Sequence, residues 1–259
     1  MDLGIAGRKA VVCASSKGLG RACARALAEA GCAIVLNGRD AAALAETARE
    51  IKDEMRVEVT EILGDLDDSA TRTALIAACL DADILVNNNG GPPRKDFDQI
   101  SREDILKGVE SNMLTPIALV QAFAPGMVER KFGRIINITS GSVRTPVAGL
   151  DVSSGARAGL TAFLASAARR FARHNVTINS IQPGSFDTDR LKAGFARAAA
   201  TAKISVDEAR SESRARIPAG RFGDPAEFGA LCAFLAGARA GFITGQNILI
   251  DGGAFPSAF

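Results

Sequence analysis

The sequence predicts an α/β protein built on a doubly wound parallel sheet of about seven strands, with helices on both faces. Three observations carry this. Short β-branched runs alternate six or seven times with long Ala-rich stretches of helical periodicity, the order that gives parallel strands joined by crossover helices. A Gly-x-Gly step, Gly18-Leu19-Gly20, stands where the first such run gives way to the first helix. No Pro-, Gly- and Ser-rich linker divides the 259 residues, so 1–259 read as a single domain.

The elements follow in order. Residues 9–13 read as a strand and 18–30 as a helix. A second strand spans 33–37. Asp40, a good N-cap, opens a helix over 41–53. Strands at 57–63 and 83–87 bracket a helix at 69–80. Ser101 and Asp104 have the spacing of a capping box and open one long helical region over 104–130. A strand at 134–139 precedes a helix at 156–173, whose Leu160, Phe163, Leu164, Ala167 and Phe171 form one apolar face. The strand at 177–181 follows. Asp224-Pro225-Ala226-Glu227 starts the last helix, and 247–250 is the last strand. Residues 186–218, rich in Ala and Arg, break the rhythm beyond a strand end. Loops there build sites in such sheets, so 186–218 is a candidate substrate lid.

Composition excludes several classes of function. With 31 basic against 29 acidic side chains the net charge is +2, which gives no electrostatic footprint for nucleic acid or an anionic membrane surface. The longest apolar stretches are about ten residues, too short to cross a bilayer. No basic region followed by an apolar one opens the chain, and a cytoplasmic location is expected. The five cysteines (Cys13, Cys23, Cys32, Cys79, Cys232) contain no Cys-x-x-Cys pair and read as small buried hydrophobes. With one histidine, His174, no metal site is expected. Trp and Tyr are absent.

The segment Ala14-Ser15-Ser16-Lys17-Gly18-Leu19-Gly20-Arg21 follows the first strand. Glycines there let the backbone approach a pyrophosphate, which a helix N-terminus stabilises. Cys23 stands where a third glycine would complete the motif, and a plain strand-to-helix turn would also use these residues. The second strand ends Leu36-Asn37-Gly38-Arg39, with no carboxylate to hold ribose hydroxyls. Arg39 and Lys17 together favour NADP(H) over NAD(H), the alternative being two solvated charges.

With these residues in hand, the chain resembles the short-chain dehydrogenase/reductase family over nearly its whole length, nearest to the 3-oxoacyl-acyl-carrier-protein reductase type. Residues 13–20 resemble the family's Thr-Gly-x-x-x-Gly-x-Gly, with Ala14 in place of the first glycine. Asp65-Leu66 resembles the pair that contacts adenine, and Asn87-Asn88-Asn89-Gly90 the family's Asn-Asn-Ala-Gly. Pro183-Gly184 and Thr188 resemble the segment at the nicotinamide end. Ile243-Thr244-Gly245-Gln246 and Asp251-Gly252-Gly253 resemble the carboxy-terminal signature. The resemblance implies a Rossmann-type, dinucleotide-binding domain whose cofactor contacts are Ser15, Ser16, Lys17, Gly18, Leu19, Gly20, Arg39, Asp65, Leu66, Asn88, Gly90, Arg157, Pro183, Gly184 and Thr188.

The family's catalytic Asn and Ser match Asn112 and Ser140. Its tyrosine and lysine fall on Ser153 and Arg157, in a register fixed by Ala158-Gly159-Leu160. A tyrosine donates the proton that an alkoxide needs; serine is a far weaker acid, and arginine holds its proton at neutral pH. Ser140, Ser153 and Arg157 can still hold a developing oxyanion. Three readings follow. One is an NADP(H)-dependent reductase of a carbonyl or conjugated enone that works without a tyrosine acid, with water or Asp151 finishing the proton transfer. Another is a catalytically inactive NADP(H)-binding sensor or partner subunit. The last is a slow 3-oxoacyl-type ketone reductase. The substrate is expected to be a small molecule, in a pocket lined by 91–97, 142–151 and 186–218, where Arg94 and Arg144 meet an acidic substrate or face water. The resemblance implies a homotetramer, or a dimer, formed by 104–130, 156–173 and the carboxy-terminal strand region, with the tail 254–259 packed on a neighbour or frayed.

Overall fold

The computed structural model describes residues 2–257. It contains one seven-stranded, wholly parallel sheet: β1 (Lys9–Val12), β2 (Ala33–Gly38), β3 (Val59–Leu63), β4 (Ile84–Asn87), β5 (Gly133–Ile138), β6 (Val176–Pro183) and β7 (Asn247–Ile250), in the order β3-β2-β1-β4-β5-β6-β7. The order reverses direction between β1 and β4, the switch point beyond whose strand ends ligands bind in such sheets. The central strands are buried along their whole length, as both-face coverage requires.

Helices α1 (Gly18–Glu29), α2 (Ala41–Met55) and α9 (Pro225–Ala236) pack on one face, around Leu27, Leu44, Ile51 and Phe228. On the other lie α3 (Ser69–Ala78), α4 (Arg102–Val109), α5 (Thr115–Glu129) and α6 (Asp151–Phe171), with Phe123, Met127, Leu160 and Leu164 in the core there. Asp40 caps α2 by accepting from the Ala43 amide, and the boxes at Ser101/Asp104 and Asp224/Glu227 both form. All five cysteines are free and buried.

Two expected boundaries move. The long helix over 104–130 is interrupted by a widened π turn at Glu110–Leu114. Pro116 has no N–H to give the Asn112 carbonyl four residues back, and its ring crowds that carbonyl, so the regular ladder cannot pass. Helix α6 begins five residues before the expected 156, at Asp151. Ser153, Ser154 and Gly155 are weak helix formers, and packing overrides them: Gly108 leaves room for Val152, whose Cγ1 lies 2.1 Å from where a Cβ would stand.

Residues 186–218 fold as α7 (Asp189–Ala202) and α8 (Val206–Ala215). Phe195, Ile217 and Phe222, with Leu191, form a small core separate from the two main ones. The base of the segment is pinned: the Asp187 amide donates to Gly223 O and the Gly223 amide to Ser185 O. Among the described residues no helix is long and apolar enough to cross a membrane. Of the tail, 258–259 lie outside the described residues. Phe255 lies beside the Arg144 guanidinium, and its amide donates to Asp251.

Candidate active site

The loop after β1 is held from below. Ser15 is wholly buried, and its hydroxyl donates to Val12 O at 2.7 Å while accepting from the Asn37 amide. Asn37, at the end of β2, accepts from the Ala14 amide and donates to Ile62 O and Gly64 O. Ala14 takes the left-handed conformation at φ 44°. A Cβ on Gly20 would lie 2.3 Å from Ala14 O, so only glycine fits there. No side chain caps α1 at Lys17, which leaves its first amides for a ligand. Thr188 closes this cradle from β6: its methyl lies 3.8 Å from the Cβ position of Gly18.

Around the end of β2, Ser16 packs within 3.0 Å of the Gly38 Cβ position. Lys17 pairs with Asp40 and Arg39 with Asp65, at 3.0 and 3.1 Å, all exposed. Asp65 also accepts from the Asp67 amide. Leu66 turns its side chain into the core. Arg39 reaches across toward Gly90, whose Cβ position is 3.8 Å from its Nη2.

Beyond β4, Asn88 donates to Ala14 O, tying this strand end to the phosphate loop. Asn89 donates to Asp67 Oδ1 at 2.9 Å and to Ser111 O, and the Ser111 hydroxyl donates to Asp67 Oδ2. Sequence reasoning missed this Asp67–Asn89–Ser111 brace; its one signal was an asparagine where the resembled motif has alanine. Asn112 lies in the π turn, buried, with Nδ2 unpartnered among the described residues, as is Asn87 Oδ1. Both residues line a small cavity of about 10 Å³ together with Arg157, room for about one water molecule.

Helix α6 carries the other half. Arg157 donates to the Ser153 hydroxyl one turn back and, at 3.3 Å, to Asn89 O. Ser153 and Arg157 are 4% and 7% exposed. Burial, with Arg190 nearby, pulls the Arg157 guanidinium down to about 10, so it keeps its charge at neutral pH. Ser140 does not bond to Ser153. Its Oγ lies 2.8 Å from Ser142 Oγ, which accepts from Ser154 Oγ at 2.9 Å. The two serine groups therefore meet at neighbouring positions of α6. Ser142 and Ser154 were not singled out from sequence. Asp151 sits in the first turn of α6, exposed.

At the end of β6, Gly184 passes so close to β7 that a Cβ would lie 2.6 Å from Asp251 Cβ. Thr188 caps α7 through the Leu191 amide. Arg144 is not free for a substrate: it donates to Gln182 Oε1 and Asn247 O. A separate groove of about 840 Å³ runs between α1 and α9 and touches this site only at Gly18 and Thr188.

Comparison with known proteins agrees with this geometry. The family model described as enoyl-(acyl carrier protein) reductase matches residues 13–254. The chain is 32% identical to the 3-oxoacyl-[acyl-carrier-protein] reductase FabG of Vibrio harveyi, over 98% of this chain and 99% of that one. It is 31% identical to the NADPH-dependent reductase BacG of Bacillus subtilis, over 96% and 98%. The solved structure of L-sorbose reductase from Gluconobacter frateurii, complexed with NADPH and L-sorbose, superposes with a TM-score of 0.94 at 27% identity, covering 99% of this chain and all of that one. A sheet of this order, a glycine cradle at its switch point and a match across nearly the whole length place the chain in the short-chain dehydrogenase/reductase family of oxidoreductases, near the 3-oxoacyl-acyl-carrier-protein reductase type.

Proposed function

We propose that the protein is an NADP(H)-dependent oxidoreductase that reduces a carbonyl compound, a conjugated enone above all, without a tyrosine acid. The observation that carries this is the Arg157–Ser153 hydrogen bond, which joins a cation to a hydroxyl at the positions that the resemblance matches to the family's lysine and tyrosine.

The site fits the cofactor. Gly20 has no room for a Cβ, and the uncapped start of α1 presents the amides of Gly18, Leu19 and Gly20 to a pyrophosphate. Arg39 and Lys17 are exposed cations for a 2′-phosphate, with Ser16 beside them. Asp65 and Leu66 border the adenine, and Asn88 and Gly90 the chain between. Arg157 meets the ribose hydroxyls, and Pro183, Gly184 and Thr188 the carboxamide end. When bound, the nicotinamide supplies the hydride. Ser140 and Ser153 donate to the substrate oxygen as charge builds on it, each donor contributing about 3 kcal/mol at most. Arg157 keeps a positive charge beside them. The anion left by an enone is an enolate, which takes its proton at carbon from water, so no strong side-chain acid is needed. Asn112 presents its unpartnered Nδ2 at the small cavity beside Arg157. Segment 186–218 serves as the lid.

In the same reading the chain is one dinucleotide-binding unit that works in the cytoplasm as a homotetramer. Leu106, Leu114 and Phe163, each about half exposed, supply apolar contacts on α4, the π turn and α6.

Two measurements test the reading. NADPH should bind more tightly than NADH, and Arg39→Ala should narrow the gap about tenfold or more, the loss of a charge-assisted contact; equal affinities in the wild type overturn the cofactor assignment. Hydride transfer from NADPH, followed against matched conjugated enones and saturated ketones, should favour the enones and fall in Ser140→Ala. Bound NADPH that no member of either panel oxidises would instead mark a cofactor-binding sensor.

A further inference from the structure

Two arginines, Arg157 and Arg190, meet where the substrate would sit, with the charges of Arg94 and Arg197 acting on Arg190, and none of the four has an acidic partner among the described residues. Arg157 is buried, and its two acceptors, Ser153 Oγ and Asn89 O, are both uncharged. Arg190, in the first turn of α7, reaches back over Gly91. Its Nη2 and the Arg157 Nη1 lie 2.7 and 3.4 Å from the single point where a Cβ on Gly91 would stand. Like charge from Arg94 and Arg197 acts on Arg190, and like charge from Arg190 acts on Arg157. The acids nearest Arg190 in sequence are engaged elsewhere: Asp187 with Lys192 and Arg210, and Asp189 with Lys192. The side chains of Arg190, Arg94 and Arg197 make no hydrogen bond or ion pair among the described residues.

Gathering unpaired guanidinium groups on one side of a pocket is unfavourable unless an anion completes it. The cofactor's pyrophosphate has its own place at the start of α1, beside Gly18 and Thr188. The unmet negative charge therefore belongs to the substrate. We propose that Arg190, with Arg94 and Arg197, forms a carboxylate-binding subsite beside Arg157, and that the protein's substrate is a small oxo acid or enone acid rather than a neutral thioester or ketone. A guanidinium fork matches a carboxylate in bidentate geometry, and Arg190 stands at the start of α7 while Arg94 lies in the loop after β4. This assignment rests on the oxidoreductase reading above.

The test is calorimetric and needs no turnover. Wild-type protein is titrated first with NADPH, then, loaded, with levulinate and with acetylacrylate, and in parallel with the methyl ester of each. The acids should bind at least tenfold more tightly than their esters, and less tightly as salt rises. Arg190→Ala should remove most of that difference, and Arg94→Ala part of it, with NADPH affinity held within about twofold. Acids and esters that bind alike, or an Arg190→Ala variant that keeps the acid preference, overturn the subsite. An Arg190→Ala variant that loses NADPH instead assigns Arg190 to the cofactor and also overturns it. Failure to take up NADPH in the first titration sinks the oxidoreductase reading alone, since the acid titration can be read on the unloaded protein.

Discussion

Arg157 donates to the hydroxyl of Ser153 across one turn of α6, so the two residues are joined to each other. Arg157 titrates near 10, and neither serine titrates in the working range. The cation is present below that value and lost as pH rises through it. Hydride transfer should therefore be flat from about pH 6 to 9 and fall only above, a profile measurable by stopped flow.

Restoring the phenol and the amine together, Ser153→Tyr with Arg157→Lys, should raise reduction of saturated ketones by roughly 100-fold or more, the usual worth of a placed acid. It should also add pH dependence within that flat range. A double variant that binds NADPH and shows neither change would mean that the surrounding walls, not the missing acid, limit the chemistry.

Arg157 is also a buried charge with no counter-ion. Folding pulls its pKa below the unfolded value, so carrying the charge costs stability at neutral pH, and this cost stays whole up to about pH 10 and shrinks only above it. Arg157→Met should raise thermal stability by about 1–3 kcal/mol while weakening NADPH binding. A variant that melts lower would show that the bonds to Ser153 and Asn89 outweigh desolvation.

Ala14 holds φ 44° in a turn that favours glycine. Ala14→Gly should stabilise the protein by about 1 kcal/mol, the relief of strain exceeding the entropy that glycine adds to the unfolded chain. Chemical denaturation measures it. Gly20→Ala should do the opposite, abolishing NADPH uptake, because a Cβ 2.3 Å from the Ala14 carbonyl must displace the loop.

Much of the fold was legible. The last strand was predicted to the residue, and caps at Asp40, Ser101 and Asp224 worked because capping is local chemistry. The π turn at Asn112 and the early start of α6 were not legible, since Pro116 and the Gly108–Val152 contact act through neighbours distant in sequence or through ladder geometry. The sequence singled out Ser153 and Arg157, which the structure places one turn apart on α6. The serine chain through Ser142 and Ser154, the Asp67 brace and the convergence of Arg190 on Arg157 could not be read from it, because each joins residues from separate loops. Arg144, a candidate for an acidic substrate, is occupied by Gln182 and Asn247 instead.

The α7–α8 hairpin rests on its own aromatic cluster, Phe195 and Phe222 with Ile217, and is fastened at 185–187 to Gly223. Its apolar core is thus its own, apart from the two that flank the sheet. Such a roof can be rebuilt, residue by residue or as a cassette, with the catalytic floor left intact, and new substrate preferences on this scaffold can arise there first.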